Sequence, residues 1–374
     1  MVETAKTRRN MKKFIMPCLI IVCVYLIAIF GFLWARSLWN SNIGSIEPPV
    51  IQPLPTLPTT PPSNNPGTAG SNSNASQDDE DNHFERPWDY GLTAPERFTD
   101  GDRRDGVWTF LIVGLNEGTN ANTVMVASYD ANSREAYLIS IPRDSLINVN
   151  RTGRKLSSSY IAGALGGRGR AGGIATLQRD VMTVIGFVPD FYVIIDYDAF
   201  FTIVDAVGGI EIYVPFHMRY DDPYQNLHID IQPGLQHMNA ETALHFSRFR
   251  RANPGFRSIS DYQRIENQQQ VIDAVLRNLL RPSSILRIPE FVDVFNDSVY
   301  TNLTVGNMLW FANQLRLIGG TDALTTYTTP MLGTSGEPMW YELLDARGIV
   351  SLVNRTVNPF YVDIELRDVS IIIE

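Results

Sequence analysis

Cysteine is nearly missing from this sequence, because 374 residues contain only Cys18 and Cys23. Both cysteines lie in one apolar run near the N-terminus, so residues 35–374 contain no thiol. This composition excludes a disulfide framework and a cysteine-ligated zinc site from the larger part of the chain. That part is long enough to form a stable hydrophobic core without cross-links.

Lysine is also scarce, and basic side chains are outnumbered beyond the N-terminal region. Residues 40–374 contain 39 acidic and 25 basic side chains, a formal net charge of -14, and Lys155 is the only lysine among them. A protein that binds nucleic acid through a general basic surface has the opposite balance. We therefore expect no nucleic-acid partner, and we expect any anion site to be local and built from arginine.

One long hydrophobic run is present. Residues 14–34 are 21 uncharged positions, which is about what a helix needs to cross the ~30 Å hydrocarbon core of a membrane. Residues 1–13 carry five basic side chains and one acidic one, so the positive-inside rule predicts a cytoplasmic tail followed by an extracytoplasmic remainder. The prediction is a single-pass protein of the cell membrane. A cleaved signal peptide is the alternative, but the run is long for one and no clear cleavage site follows.

Composition divides the rest of the chain. Residues 40–105 are rich in Pro, Ser and Asn and then become acidic, which predicts an extended linker. Between 106 and 359, apolar runs suited to strands alternate with amphipathic stretches suited to helices. This alternation predicts one extracytoplasmic α/β domain with helices on both faces of its sheet. Residues 360–374 form a short C-terminal tail.

Arginines concentrate in the stretch ALHFSRFRRANPGFRSISDYQRIENQQQ, residues 243–270. Its five arginines are Arg248, Arg250, Arg251, Arg257 and Arg264. In the second predicted helix of this stretch, Asp261, Arg264 and Gln268 have the spacing of one helix face. A planar guanidinium binds two phosphate oxygens at once, so this face is suited to a phosphate group. Taken alone, the pattern also fits a solvated face with an ion pair.

Two further polar stretches could contribute to an anion site. SIPRDS places Arg143 and Asp144 directly after the strand predicted at 135–141. Ligands of open α/β sheets bind beyond the carboxyl ends of strands. TGRKLSSSY contains Lys155. Each stretch by itself also fits loop charges or a structural salt bridge.

Six ordered motifs lie between residues 108 and 280: Gly114-Leu115, SIPRDS, KLSSSY, DFYVIIDYDAFFTIVDAVGGIEIYV, PGLQHMNAETALHFSRFR and DYQRIENQQQ. Together they resemble the signatures of the LytR–CpsA–Psr family. The resemblance implies an α/β/α sandwich around a central mixed sheet, preceded by one N-terminal transmembrane helix. It also implies a membrane-anchored extracytoplasmic phosphotransferase, which moves a glycopolymer phosphate from a polyprenyl-pyrophosphate carrier to peptidoglycan.

The resemblance also implies roles for individual residues. The positions implied to bind the pyrophosphate are Arg143, Lys155, Arg248, Arg250, Arg264 and Gln268. Those implied to take part in catalysis are Arg143, Asp261 and Arg264. For the proton of an acceptor hydroxyl, Asp261 and Asp144 are both candidates, and either could instead orient an arginine. Because the arginines are expected to act through charge, we expect their replacement by alanine to leave the melting temperature nearly unchanged.

The lipid tail of the carrier is expected to lie in an apolar tunnel. The sheet and the helices predicted at 172–186, 198–206 and 260–280 would enclose it. These helices are apolar on more than one narrow stripe, which is the pattern expected for walls buried on two sides. Ordinary core packing is the alternative explanation of the same pattern.

The implied metal site is where the sequence departs from the family. The resemblance implies two aspartates that hold Mg²⁺ on the pyrophosphate, at positions occupied by Asn116 and Asn122. An asparagine oxygen can ligate a cation but brings no charge. Three outcomes are open: a weakened Mg²⁺ site, compensation by Glu117, or binding of a lipid-linked glycan without efficient turnover. The last outcome makes a non-catalytic binding or scaffold protein of the cell envelope the alternative function.

Overall fold

The computed structural model describes residues 47–50, 103–116, 120–165, 167–224, 227–279, 281, 288–318, 324–335 and 339–372. The predicted cytoplasmic tail at 1–13, the predicted transmembrane helix at 14–34 and nearly all of the predicted linker lie outside these ranges. Within the described ranges, no helix combines the length and the apolarity that crossing a membrane requires.

Strands and helices alternate along the described chain. The strands are β1 (Val107–Asn116), β2 (Asn120–Asp130), β3 (Glu135–Ile141), β4 (Phe191–Ile195), β5 (Ile210–Val214), β6 (Met218–Asp222), β7 (Leu227–Ile231), β8 (Gly234–Met238), β9 (Tyr300–Thr301), β10 (Leu324–Thr328), β11 (Met331–Ser335) and β12 (Tyr341–Leu344). The α-helices are α1 (Ser159–Ala164), α2 (Gly169–Ile185), α3 (Tyr197–Ala206), α4 (Ala240–Arg248), α5 (Asp261–Leu279), α6 (Ile288–Ser298), α7 (Val305–Ile318) and α8 (Ala346–Thr356).

Six strands form a central sheet in the order β10-β3-β2-β1-β4-β9. β1 runs antiparallel to β2 but parallel to β4, and β3 runs parallel to β10. The predicted α/β class with a central mixed sheet is therefore confirmed. Because β1 and β4 are parallel, their carboxyl ends, Asn116 and Ile195, meet at the same edge of the sheet.

One face of the sheet carries the main core. Side chains alternate along a strand, so the odd-numbered positions of β1 share this face. Leu111 and Val113 are fully buried there, and Leu177 of α2 and Ile349 of α8 belong to the same apolar cluster. Burying a side chain of this size stabilises the fold by about 1.5–3 kcal/mol.

The other face carries an aromatic cluster at one end. Trp108 lies with its ring centre 4.6 Å from that of Trp310, and the corresponding distance from Phe110 to Phe311 is 5.0 Å. Both partners belong to α7. Helix α5 also lies on this face, since Gln269 donates a hydrogen bond to a β3 hydroxyl at 3.0 Å. Helices thus cover both faces of the sheet, as expected for an α/β domain.

A second core joins two helices to two small ribbons. β5 pairs with β8, and β6 pairs with β7, each in antiparallel register. Ile212 and Ile229 of these ribbons are buried in one cluster with Phe246 of α4 and Val271 of α5. This cluster fixes α4 and α5 relative to each other, and these two helices carry the arginine-rich stretch.

Candidate functional site

A cavity of about 850 Å³ lies at the carboxyl ends of β1 and β4, between the sheet and helices α3, α4 and α5. Its apolar wall includes Ile112, Met125, Ile195, Phe200, Leu244, Val271 and Ile272. Its polar wall includes Asn116, Asn122, Arg143, Arg248, Arg250, Arg251, Arg264 and Gln268. One cavity therefore joins a cationic region to a hydrocarbon region.

The end of α4 places two arginines at the cavity. Asn239 caps the helix by accepting a backbone hydrogen bond at 2.9 Å, and Arg248 is the last helical residue. Phe249 leaves the helical conformation and is fully buried, which holds its neighbours Arg248 and Arg250 on the cavity wall. The guanidinium carbon of Arg248 lies 5.2 Å from the ring centre of Tyr197, within the range of a cation–π contact.

The first turn of α5 contains a buried ion pair. Nη2 of Arg264 lies 2.8 Å from Oδ1 of Asp261, and the two side chains are only 6% and 8% exposed. Ser260 and Gln263 exchange reciprocal cap hydrogen bonds, which fix this turn. Burial lowers the pKa of the Arg264 guanidinium, Arg143 lowers it further, and Asp261 opposes the shift. Asp261 thus stabilises a charge that burial and a cationic neighbour disfavour.

Arg143 reaches the cavity from the loop that follows β3. Its Nη1 donates a hydrogen bond to Oδ1 of Asn122 at 3.3 Å, and its Nε lies 3.7 Å from the Asp144 carboxylate. Asp144 also accepts a hydrogen bond from Nζ of Lys155 at 3.0 Å. Lys155 is not part of the cavity wall, so its position supports an effect through Asp144 rather than the implied contact with a pyrophosphate.

Glu342 of β12 is a carboxylate that sequence reasoning missed. Its backbone N–H donates a hydrogen bond to the Asp144 carbonyl at 3.0 Å. Burial raises the pKa of Glu342 to about 7, Asp261 and Asp144 raise it as well, and Arg250 and Arg264 oppose the shift. The sequence offered only a lone glutamate in WYELL, far along the chain from the arginines, and this carried no recognisable signal.

Most of the nominated site residues come together. Those on the cavity wall are Asn116, Asn122, Arg143, Arg248, Arg250, Arg264 and Gln268. Asp261 is not on the wall, but it pairs with Arg264, which is. Lys155 is not on the wall either, and it pairs with Asp144, the neighbour of Arg143. The wall also includes Asp196, Tyr197 and Arg251, which were not nominated. Asp196 and Tyr197 lie within one of the six motifs, but its pattern does not distinguish cavity residues from core residues.

The expectation for the apolar walls is only partly right. The helices predicted at 198–206 and 260–280 supply residues to the cavity. The prediction is wrong for the helix at 172–186, because Leu177 and Val181 of α2 pack in the main core on the opposite face of the sheet. A broadly apolar helix has the same sequence pattern whichever face of a sheet it covers.

Comparison with known proteins identifies the family. The family model described as LytR_cpsA_psr matches residues 69–356. The chain belongs to the LytR–CpsA–Psr family. Biofilm regulatory protein A of Streptococcus mutans is 24% identical over 262 residues, which are 66% of this chain and 62% of the relative. The polyisoprenyl-teichoic acid–peptidoglycan teichoic acid transferase TagV of Bacillus subtilis is 26% identical over 190 residues, 50% of this chain and 45% of TagV. The chain thus spans about half of the length of these relatives.

Solved structures of other family members share the fold. The structure of B. subtilis TagV has a TM-score of 0.55 at 21% identity and covers 67% of this chain and 96% of that one. A structure of TagT bound to LIIa-WTA has a TM-score of 0.54 at 18% identity and covers 71% and 95% of the two chains. The likeness shows that the α/β domain with its central mixed sheet is the fold of these proteins.

Asn116 and Asn122, the two positions where the family resemblance implies Mg²⁺ ligands, fit a Mg²⁺ ion poorly. Oδ1 of Asn116 accepts the Asn120 N–H at 2.9 Å, and Oδ1 of Asn122 accepts the hydrogen bond from Arg143. Both oxygens are neutral and engaged, and the second faces a guanidinium that repels a cation. Among the described residues, no three His, Cys, Asp or Glu side chains are grouped as metal ligands. Glu117, the candidate substitute, lies outside the described residues.

The buried ion pair between Asp261 and Arg264 should affect the stability of the fold as well as the charge of the site. Asp261→Asn should lower the free energy of unfolding by about 3–5 kcal/mol, because it leaves the Arg264 guanidinium buried without a counter-charge. Arg264→Ala should be destabilising for the converse reason, which replaces the expectation of an unchanged melting temperature. Urea denaturation measures both variants.

The control is Asp273→Asn, which breaks the more exposed pair with Arg277 on the same helix and should cost no more than about 1 kcal/mol. Equal losses in Asp261→Asn and the control would contradict a desolvated pair.

The asparagine positions yield a second prediction. The wild-type protein should bind Mg²⁺ weakly, and Asn116→Asp with Asn122→Asp should raise the affinity, because two carboxylates supply charge and hard oxygen ligands. Isothermal titration with MgCl₂ in the presence of inorganic pyrophosphate measures this change. Asn120→Asp is the control, since it adds a carboxylate to the same segment away from the cavity wall. Tight wild-type binding, with no gain in the double variant, would place the cation elsewhere.

Proposed function

We propose that this protein is a membrane-anchored extracytoplasmic phosphotransferase that moves a glycopolymer phosphate from a polyprenyl-pyrophosphate carrier to peptidoglycan. The observation that carries this proposal is the cavity of about 850 Å³, which is lined by both guanidinium groups and apolar side chains. A ligand that matches it combines a multiply charged anion with a hydrocarbon chain. A polyprenyl pyrophosphate has both parts, and the predicted helix at 14–34 would hold the domain near the membrane that contains it.

Five arginines line the cavity, against two aspartates on the same wall, Asp196 and Asp222, and two beside it, Asp144 and Asp261. Arg143 and Arg250 lie 3.7 Å from the carboxylates of Asp144 and Asp261, too far for a hydrogen bond. Arg248 has no carboxylate partner among the described residues and contacts an aromatic ring instead. A pyrophosphate would supply the missing negative charge and accept paired hydrogen bonds from each fork.

This arrangement suits the chemistry of phosphoryl transfer. Such reactions require mainly positioning and the stabilisation of charge on the phosphate oxygens. In the proposed reaction, Arg143, Arg248 and Arg250 would bind those oxygens and stabilise the charge that moves to the leaving lipid phosphate. Arg264 would add a fixed positive field, since Asp261 holds its guanidinium in one orientation.

The names of the relatives support the substrate class. TagV is named as a transferase between polyisoprenyl-teichoic acid and peptidoglycan, and TagT has been solved bound to LIIa-WTA. The name of TagV therefore describes a donor in which teichoic acid is carried on a polyisoprenyl lipid. TagV is 26% identical to this protein over half of this chain. Its name therefore supports the class of donor and acceptor that we propose.

A second function is favoured by the metal positions. A non-catalytic protein that binds polyprenyl-phosphate glycans, as a receptor or scaffold of the cell envelope, would retain the arginines and the apolar cavity. It would not depend on a divalent cation in the cavity. The contact between Arg143 and Asn122 fits such a protein, because it places a positive charge next to an oxygen that a cation would use.

A transfer assay separates the two functions. The full chain in detergent micelles is incubated with peptidoglycan and a polyprenyl-pyrophosphate glycan that carries ³²P in the phosphate attached to the sugar. A phosphotransferase should move the label into the peptidoglycan fraction and release polyprenyl phosphate. If the label stays on a lipid that the protein binds tightly, the scaffold function replaces the enzymatic one.

Two arginines should account for much of the affinity for the donor. Arg143→Ala and Arg248→Ala should each weaken binding of a polyprenyl pyrophosphate by about 10–100-fold, since a hydrogen bond to a charged group contributes about 1.5–3 kcal/mol. Lysine at either position should restore little, because an ammonium lacks the planar fork. The control is Arg257→Ala: this guanidinium lies 4.8 Å from the Phe216 ring centre and is not on the cavity wall. Fluorescence-detected titration measures all variants, and unchanged affinity in both test variants would remove the pyrophosphate from this cavity.

A further inference from the structure

The backbone fixes Glu342 beside the arginine site. Its N–H donates a hydrogen bond to the Asp144 carbonyl at 3.0 Å, and its carbonyl accepts one from the Leu146 N–H at 2.9 Å. Ser145 pairs with Glu342 as a parallel bridge between these two contacts. β12 is thereby joined to the loop that carries Arg143, so the place of Glu342 does not depend on flexible side chains.

Charged groups from three other segments act electrostatically on the Glu342 carboxyl. The ionisable neighbours are Asp144 after β3, Arg250 after α4, and Asp261, Tyr262 and Arg264 on α5. Burial and the two aspartates disfavour the ionised form of Glu342 and raise its pKa to about 7, against the opposing effect of the two arginines. A carboxyl group with this pKa can take up and release a proton near neutral pH.

Glu342 differs from the neighbouring aspartates in having no committed partner. Asp144 is paired with Lys155, and Asp261 is paired with Arg264. Among the residues that the structure describes, the Glu342 side chain forms neither an ion pair nor a hydrogen bond. The residue is half-buried, so a substrate hydroxyl can still reach its carboxylate from solvent.

We infer that Glu342 is the general base that removes the proton of the acceptor hydroxyl, an inference that rests on the proposed phosphotransferase function. Glu342 is not on the cavity wall where the donor would lie. Its backbone is bonded to Asp144, the neighbour of Arg143, and Arg143 is on that wall. The charges of Arg250 and Arg264, which are also on the wall, act on its carboxyl group. In-line displacement places the attacking oxygen opposite the leaving oxygen. With the lipid phosphate leaving towards the apolar part of the cavity, the acceptor would enter from the opposite, cationic side, and the backbone contact with Asp144 places Glu342 next to the loop that carries Arg143 on that side.

The step balances in atoms and charge. The oxygen of the acceptor sugar attacks the phosphorus that carries the glycan, and a new O–P bond forms. The bond from that phosphorus to the bridging oxygen breaks, and its electron pair stays on the departing polyprenyl phosphate. The proton of the acceptor hydroxyl moves to the Glu342 carboxylate and is later released to water. The donor is the pyrophosphate itself, so no oxidant, reductant or further reactant is needed.

The pH dependence of transfer tests this assignment. The full chain is assayed with the ³²P-labelled donor and peptidoglycan from pH 5 to pH 9, as wild type, Glu342→Gln and Glu266→Gln. Glu266 is exposed on α5 and provides the same chemical change away from the site. Wild type and Glu266→Gln should show a rate that rises with pH through about 7. Glu342→Gln should lower kcat by about 10²–10⁴-fold, remove this rise and leave donor affinity within about threefold.

Two further measurements distinguish loss of a base from loss of structure. The raised pKa of Glu342 means that the stabilising contribution of its protonated form is present below about pH 4.5 and is lost as pH rises through about 7. The melting temperature of Glu342→Gln relative to wild type should therefore increase over that interval, whether or not the protein is active. Glu342→Asp retains the carboxylate at a shorter reach, so it should keep the pH dependence at a reduced kcat.

The possible results of these experiments distinguish a wrong assignment of Glu342 from a failure of the proposed phosphotransferase function. Transfer by Glu342→Gln at the wild-type rate and with the wild-type pH profile would overturn the base while leaving the phosphotransferase standing. A change in donor affinity alone, with the pH profile retained, would also overturn it and leave Glu342 as an electrostatic neighbour of the arginines. If wild type binds the donor but transfers nothing at any pH, the proposed function fails and the base fails with it.

Discussion

The buried ion pair between Asp261 and Arg264 is the contact on which the arginine site depends. Several guanidinium groups share the wall of one cavity, and two unit charges 4 Å apart repel by about 4 kcal/mol at an effective dielectric constant of 20. The carboxylate of Asp261 offsets this repulsion where it is strongest, because Arg264 is almost fully withdrawn from water. Asp144 has the same function for Arg143 at longer range. Positive charge still exceeds negative charge, which leaves the site suited to an anion.

The fold brings this charge next to an apolar space. Parallel pairing of β1 and β4 ends both strands at one edge of the sheet, and the second core fixes α4 and α5 across from that edge. The hydrocarbon wall then comes from the sheet and from the inner sides of these helices. The sheet packs in the main core, whereas α4 and α5 pack in the second core. The space between them is therefore not filled by the side chains of either core.

The asparagines change how the family's chemistry would work in this chain. A guanidinium, that of Arg143, lies against Asn122 at a position where the family resemblance implies a carboxylate that ligates Mg²⁺. Replacement of a carboxylate by an amide removes one reason for a cation to bind and strengthens the field of the arginine. In the proposed phosphotransfer, charge stabilisation would therefore depend more on the guanidinium groups, and proton removal would depend on a carboxylate that is not already paired.

The sequence by itself determined the local features of this protein. Apolar runs predicted strands, amphipathic stretches predicted helices, and the crowding of arginine in an acidic chain predicted a local anion site. The family resemblance then nominated residues, most of which lie on the cavity wall. Only the tertiary structure decided which face of the sheet α2 covers, how deeply Arg264 is buried and that Glu342 lies beside Asp144. The physical reason is that periodicity and capping depend on neighbours within a few residues, whereas burial, pKa and partner choice depend on elements that packing brings together from distant parts of the chain.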